Sequence, residues 1–240
     1  MSQWSEAVER EVDAFLDEFE ELFETDPETA FDLARKLQGE VGEHPDVKLA
    51  RIRAVWALHG ADAARSALLE LTGEQPDFAD AHHILALVYE ELGDQRGQVE
   101  ESLTVLALDA AQDAAEGLDP ASSEDFIVQA AEQALERLPS PFRERLRGVP
   151  ILIEPRPSRA LVEEGFDPRA LGLFEGQIDE ERAFGEANEQ PTRIVLYSAN
   201  LLASFPDPDE LRYEVEVTVR HEIGHFFGLE EDDLERLGLE

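Results

Sequence analysis

The chain has 240 residues, 42% of them hydrophobic, no cysteine, and a formal charge of −36 from 56 acidic against 20 basic residues. That length supplies one large or two modest cores, the charge repels phosphate backbones and argues against nucleic acid as a partner, and the missing thiols exclude disulfides and thiolate zinc sites. No apolar run approaches the roughly 18 to 20 residues that span a bilayer, and "MSQWSEAVER" lacks the pattern of a secretory signal, so the expected location is the cytoplasm, with no membrane partner.

Lys36 and Lys48 are the only lysines. The acidity reads as a solvated, solubility-promoting surface. A docking site for a basic partner, a high-salt habitat or an arginine-rich codon bias would leave the same composition.

The first element is an amphipathic helix: Trp4, Val8, Val12, Phe15, Leu16, Phe19, Leu22 and Phe23 recur at helical spacing with acids between them. Two similar segments follow. Pro45-Asp46 and Pro76-Asp77 each open a helix pair, broken near Gly60 or Gly93, and a period slightly above thirty residues with a glycine turn is the mark of stacked helical hairpins. "ADAHHILALVYEELGDQRGQVEESLTVLALD" resembles a tetratricopeptide repeat at Leu85, Ala86, Tyr89 and Gly93, and the preceding unit resembles one at Ala57 and Gly60. The resemblance implies a groove for a protein partner; a purely structural or capping element is the alternative.

At "AAQDAAEGLDPASSED" small and acidic residues, a Gly and a Pro interrupt the periodicity, which sets a boundary between a helical module, 1–121, and a second domain, 122–240. Ser122 is the expected N-cap of the helix "FIVQAAEQALERL", with Asp125 three residues on. Beyond it, "VPILIEP", "LGLFEG" and "PTRIVLYSANLL" read as three short strands among helices, an α+β arrangement. "QIDEERAFGEANEQ" reads as an exposed connector or a substrate-side flap. The third strand is a candidate edge for pairing with a substrate backbone.

The last helix, "DELRYEVEVTVRHEIGHFFGL", carries Leu211, Val215, Val219, Ile223 and Phe226 or Phe227 along one stripe. His221 and His225 stand four residues apart on it, about 400° of turn and 6 Å of rise, so both imidazoles share a face within reach of one ion. A catalytic zinc takes three protein ligands plus a water, and Glu222 falls where it can accept that water's proton. Gly228 allows the left-handed turn that brings the chain back toward the site, where Glu230, Glu231, Asp232 and Asp233 offer a third ligand.

"PSPFRERLRGVPILIEPRPS", "DPRALGLFEG", "PTRIVLYSANL" and "VRHEIGHFFGLEEDDLE", in that order, resemble the small bacterial zincin-like, minimal metalloprotease-type, metallopeptidases over roughly residues 122 to 240. The resemblance implies a short mixed sheet packed on helices, zinc held by His221 and His225, and peptidase activity with Glu222 as general base. The extended zincin pattern puts the third ligand ten residues after the first histidine, at Glu231, with Asp232 in reserve; the family's usual residue there is aspartate. The chain lacks the methionine turn of the larger metzincins, since Met1 is its sole methionine.

The fold expected is therefore α+β: a tetratricopeptide-like helical module followed by a compact zincin-like domain with a small mixed sheet. Zinc is the expected cofactor, a peptide or protein the expected substrate, and a protein the expected partner of the repeats. The rival reading is a non-catalytic scaffold whose repeats bind a partner and whose zinc is structural; an open fourth metal position separates the two. Tyr197 or Tyr213 could donate to an oxyanion, though such tyrosines are more often core or surface residues.

Overall fold

The computed structural model describes residues 4–176 and 192–229. The chain is mostly helical and divides into two compact units, Met1–Ala110 with Val162–Gly165, and Ala111–Leu161 with Phe166–Glu240. No helix among the described residues is long and apolar enough to cross a membrane.

In the helical unit, α1 (Glu6–Phe23) starts where Ser5 accepts the Val8 N–H, and α2 (Pro27–Lys36) where Asp26 accepts the Thr29 N–H ahead of Pro27. The apolar stripe of α1 is buried at Val8, Val12, Phe15 and Phe19, against Ala30 and Ala34 of α2. A single helical turn, α3 (Gly39–Gly42), leads to α4 (Pro45–His59) and α5 (Ala61–Glu74), which pack with α6 (Ala79–Glu91) around Leu68, Leu71, Leu85 and Val88. The turn between α4 and α5 is made by Gly60 at φ 81°, and α7 (Gln95–Glu116) follows a similar turn at Gly93, φ 72°; both lie in the left-handed region that glycine adopts without strain. The segment that expectation broke at residue 111 stays helical to Glu116, because its alanines favour helix even where no apolar face guides it.

The second unit continues with a 3-10 turn, Pro120–Ser123, and α8 (Glu124–Arg137). Ser122 does not cap α8. Pro120 starts the 3-10 turn, and the Ser122 hydroxyl donates to the Asp119 carbonyl at 2.7 Å. After α9 (Ser140–Arg145) come β1 (Ile151–Glu154), α10 (Arg159–Glu163), whose last two residues are counted with the helical unit, β2 (Gly172–Glu175), β3 (Arg193–Tyr197), α11 (Ser198–Ser204) and α12 (Pro208–Phe226). The sheet is mixed, in the order β1-β3-β2: β1 runs parallel to β3, with Ile151 opposite Ile194, and β2 antiparallel, with Gly172 opposite Leu196.

Two expectations change here. The third strand ends at Tyr197 instead of running toward Leu201, because Ser198 and Ala199 donate to the carbonyls of Glu154 and Pro155 at the end of β1 and turn the chain into α11. That strand is also central and not an edge, so its backbone groups are spent on β1 and β2. Among the described residues, the edge open beside the site is that of β2. Ile194 to Tyr197 are all buried, as befits a central strand covered on both faces. One face meets α8 and α12 in a core of Ile127, Ala130, Ala134, Leu196, Val215, Val219 and Phe226.

Candidate functional site

Helix α12 begins with Asp207, whose carboxylate accepts the N–H groups of Asp209 and Glu210, and with Pro208 in the first turn. It is apolar along one stripe and ionisable along another. Leu211, Val215, Val219, Ile223 and Phe226 are buried in the core, and burial of each such side chain stabilises the unit by about 1.5–3 kcal/mol. The other stripe carries Glu214, Thr218, His221, Glu222 and His225 into a cleft of about 410 Å³. The opposite wall is Phe166 and the run Ala170–Phe174, which includes most of β2.

The two histidines converge. Their Nε2 atoms are 3.0 Å apart and the rings meet nearly edge-on, at 81°. The Nδ1–H of His225 donates to the Leu229 carbonyl at 3.2 Å. A carbonyl only accepts, so the proton of neutral His225 sits on Nδ1 and Nε2 presents its lone pair to the cleft. Leu229 is brought there by the helix end: Gly228 at φ 76° donates to the His225 carbonyl, and the Leu229 N–H donates to the Gly224 carbonyl, a Schellman arrangement.

These residues fit zinc. Bonds of about 2.0–2.1 Å in a tetrahedron put two ligand nitrogens about 3.3 Å apart, a small relaxation from the observed 3.0 Å. With no cysteine in the chain, the donors left for such an ion are histidine and carboxylate, and the imidazole pair supplies two of them. Among the described residues no three His, Asp or Glu side chains form a metal-holding group. The expected third ligand Glu231, its reserve Asp232, and Glu230 and Asp233 lie outside the described residues, as do the residues from Gln177 to Gln190 of the expected flap.

Glu222 is 6% exposed, on the floor of the cleft against β2. Its seat depends on a residue that the sequence reading passed over. A Cβ at Gly172 would come within 2.7 Å of Thr218 Cγ2 and 3.0 Å of Glu222 Oε1, so only glycine lets the strand lie this close to the helix. The available signal was a lone glycine inside a strand, which marks a close approach. A second support had no signal at all. Arg156, between two prolines, grips both oxygens of Asp113 at 2.7 and 2.8 Å and also donates to the side-chain carbonyl of Asn200. Asn200, 3% exposed, donates in turn to the carbonyls of Pro168 and Ala170, fixing the chain that enters β2 and lines the cleft.

Neither tyrosine lines the cleft. Tyr197 is buried in β3, where burial, helped by the carboxylates of Glu154, Glu175 and Glu222, pushes its phenol above the usual range; Tyr213 is 62% exposed on α12.

Residues 146–239 match the sequence model of the zincin-like metallopeptidase family. The matched segment contains the three described strands, the cleft and the His221–His225 pair, and leaves residues 1–145, with helices α1 to α9, outside it. It covers less than half of the chain, and the similarity is stated of that segment. No curated protein matches the chain.

Proposed function

We propose that the protein is a zinc-dependent peptidase whose site is the cleft between α12 and β2. The observation that carries the reading is the convergence of two imidazole nitrogens beside a buried glutamate on an open cleft, within the segment similar to zincin-like metallopeptidases. His221, His225 and Glu231, or Asp232 in its place, would hold the metal. Zinc there would supply a Lewis acid that lowers the pKa of a water toward about 7.

The chain's own groups do the rest. The carboxylate of Glu222 accepts the proton of the attacking water and returns it to the leaving amine. The Nδ1–H bond from His225 to Leu229 keeps the imidazole oriented. The edge of β2 receives an extended substrate by backbone pairing, as an added strand, and the apolar wall excludes bulk water.

Glu222→Gln keeps shape and removes the base. Metal analysis of the purified, reconstituted protein is expected to give close to one zinc per chain in wild type and Glu222→Gln, and none in His225→Ala. Hydrolysis of a mixed peptide library falls by about two to four orders of magnitude in Glu222→Gln. No zinc in wild type after reconstitution at neutral pH sinks the reading.

The domain pair 1–121 and 122–240 and the cytoplasmic setting belong to this proposal, as does a tetratricopeptide-like role for the α4–α7 hairpins. The scaffold reading rests on a different feature, a groove of the helical unit lined by Phe23, Trp56 and Ile84. Four protein ligands on the metal would favour it over the enzyme.

A further inference from the structure

We infer that Glu214 is a specificity-determining residue, selecting peptides that carry an arginine or lysine about three residues from the scissile bond. The inference rests on the cleft between α12 and β2 being the peptide site.

The charges of the cleft are one-sided. Among the described residues that line it there is no lysine or arginine; apart from the histidine pair, its ionisable groups are Glu222 and Glu214. Glu222 lies on the floor. Glu214 is half-buried toward the N-terminal end of the same helix face, and its carboxylate has no partner among the described residues. The neighbouring arginines of α12 are engaged on other sides of the helix: Arg212 pairs with Asp209 at 2.8 Å, and Arg220 with Glu216 at 2.7 Å, which also holds Arg137. Charge of one sign, held unpaired beside low-dielectric walls, favours a cationic group from the ligand.

The distance sets the position. Strand and helix advance together, since Gly172 abuts Thr218 and Glu222 while the ring of Phe174 lies 5.8 Å from that of Phe226. A peptide on the edge of β2 therefore runs along α12. Glu214 precedes His221 by two helical turns, about 10 Å, which an extended chain at roughly 3.3 Å per residue covers in about three residues. Phe166, Leu171 and Val217 share that cleft with Glu214. They suit the aliphatic stem of a long basic side chain whose charged end reaches the carboxylate.

The test uses the full chain loaded with zinc and quenched-fluorescence peptides with one basic, neutral or acidic residue placed three positions from the central bond, on either side. Wild type is expected to cleave the basic series with kcat/KM roughly 5- to 20-fold above the acidic series, the order of one partly screened charge pair. Glu214→Gln flattens the ratio and Glu214→Lys reverses it. Glu132→Lys, which makes the same change in net charge at an exposed position of α8, leaves it as in wild type. Retention of the wild-type ratio in Glu214→Lys, or an equal shift in Glu132→Lys, overturns the inference. If no form cleaves any peptide, the peptidase reading fails separately, and the same peptides are scored for binding by fluorescence anisotropy. A basic preference lost in Glu214→Lys and kept in Glu132→Lys supports the role of Glu214; a preference unchanged in Glu214→Lys, or no binding of any series, overturns it.

Discussion

The helical unit and the α+β unit both bury ionisable side chains, and they use them differently. In the helical unit, His82 of α6 is 9% exposed and has both ring nitrogens on acceptors, Glu101 of α7 and the Pro76 carbonyl. His44 lies between Glu9 and Asp46 at 3.5 and 3.2 Å, with its ring tilted against that of Trp4. His82 is satisfied by its neighbours and ties α6 to α7, whereas the buried Nδ1 of His44 makes no hydrogen bond among the described residues. In the α+β unit, the buried Glu222 and the histidine pair line a cleft instead, and the supporting polar network of Arg156, Asp113 and Asn200 lies behind its wall. A buried charge satisfied in place stabilises or orients the fold; one that borders an open cleft is available for chemistry.

The contrast is sharpest at Gly172. Gly172→Ala brings its Cβ to 2.7 Å from Thr218 Cγ2 and 3.0 Å from Glu222 Oε1, so Thr218 must shift and the carboxylate is displaced from its observed position. Peptide hydrolysis is expected to fall by about 10- to 100-fold, and stability by about 1–3 kcal/mol, the usual range for overpacking. Adding Thr218→Ser removes the nearest methyl and restores part of the stability in a denaturant titration. An unchanged rate in Gly172→Ala would mean that Glu222 is not held by β2.

Next in size is the network behind the wall. Arg156→Ala leaves Asp113 and Asn200, both largely buried, without their partner, and is expected to cost about 3 kcal/mol. Urea unfolding measures it; a loss below about 1 kcal/mol would show that water replaces the guanidinium. The same pair predicts that a fragment 111–240, which keeps Asp113, melts above the fragment 122–240, which lacks it.

The helical unit answers to pH. The hydrogen bond with Glu101, aided by the charge of Glu101 and the Pro76 carbonyl, outweighs burial and raises the pKa of His82. Its contribution to stability is complete below the unfolded value of about 6.5 and is lost as pH rises through the higher folded value. Thermal melts of wild type from pH 6 upward should show this decline, and His82→Gln should lack it. The same slope in both would place the titrating group elsewhere.

The smallest effect belongs to the surface. Arg96 and Glu100 pair at 2.9 Å on α7 with side chains 86% and 63% exposed. Arg96→Gln is expected to leave the melting temperature unchanged within error, since solvent screens such pairs.

Much of this was legible beforehand because it is local. The stripe of Leu211, Val215, Val219, Ile223 and Phe226 follows from the helical period, Gly228 from the need for a left-handed residue at a helix end, and the shared face of His221 and His225 from their four-residue step. The existence of three short strands was readable from β-branched runs between prolines and glycines. Their order was not: alternation tells which residues can form a strand, and hydrogen bonds between segments far apart in sequence decide that β3 is central and that β2 holds the edge beside the cleft. The same holds for Ser198, whose hydroxyl meets a carbonyl of β1 and ends a strand that its own pattern would continue.

By itself, then, the sequence determined the first and last helices and the glycine-turned hairpins, the acidic composition, the absence of thiolate chemistry and the juxtaposition of two imidazoles, because each depends on residue type and spacing along one segment. Tertiary structure alone decided the rest. Gly172 faces Glu222, Arg156 reaches Asp113 and Asn200, and Glu214 shares a cleft with Phe166 and Leu171, since these meetings depend on how separate segments pack and no local period encodes them.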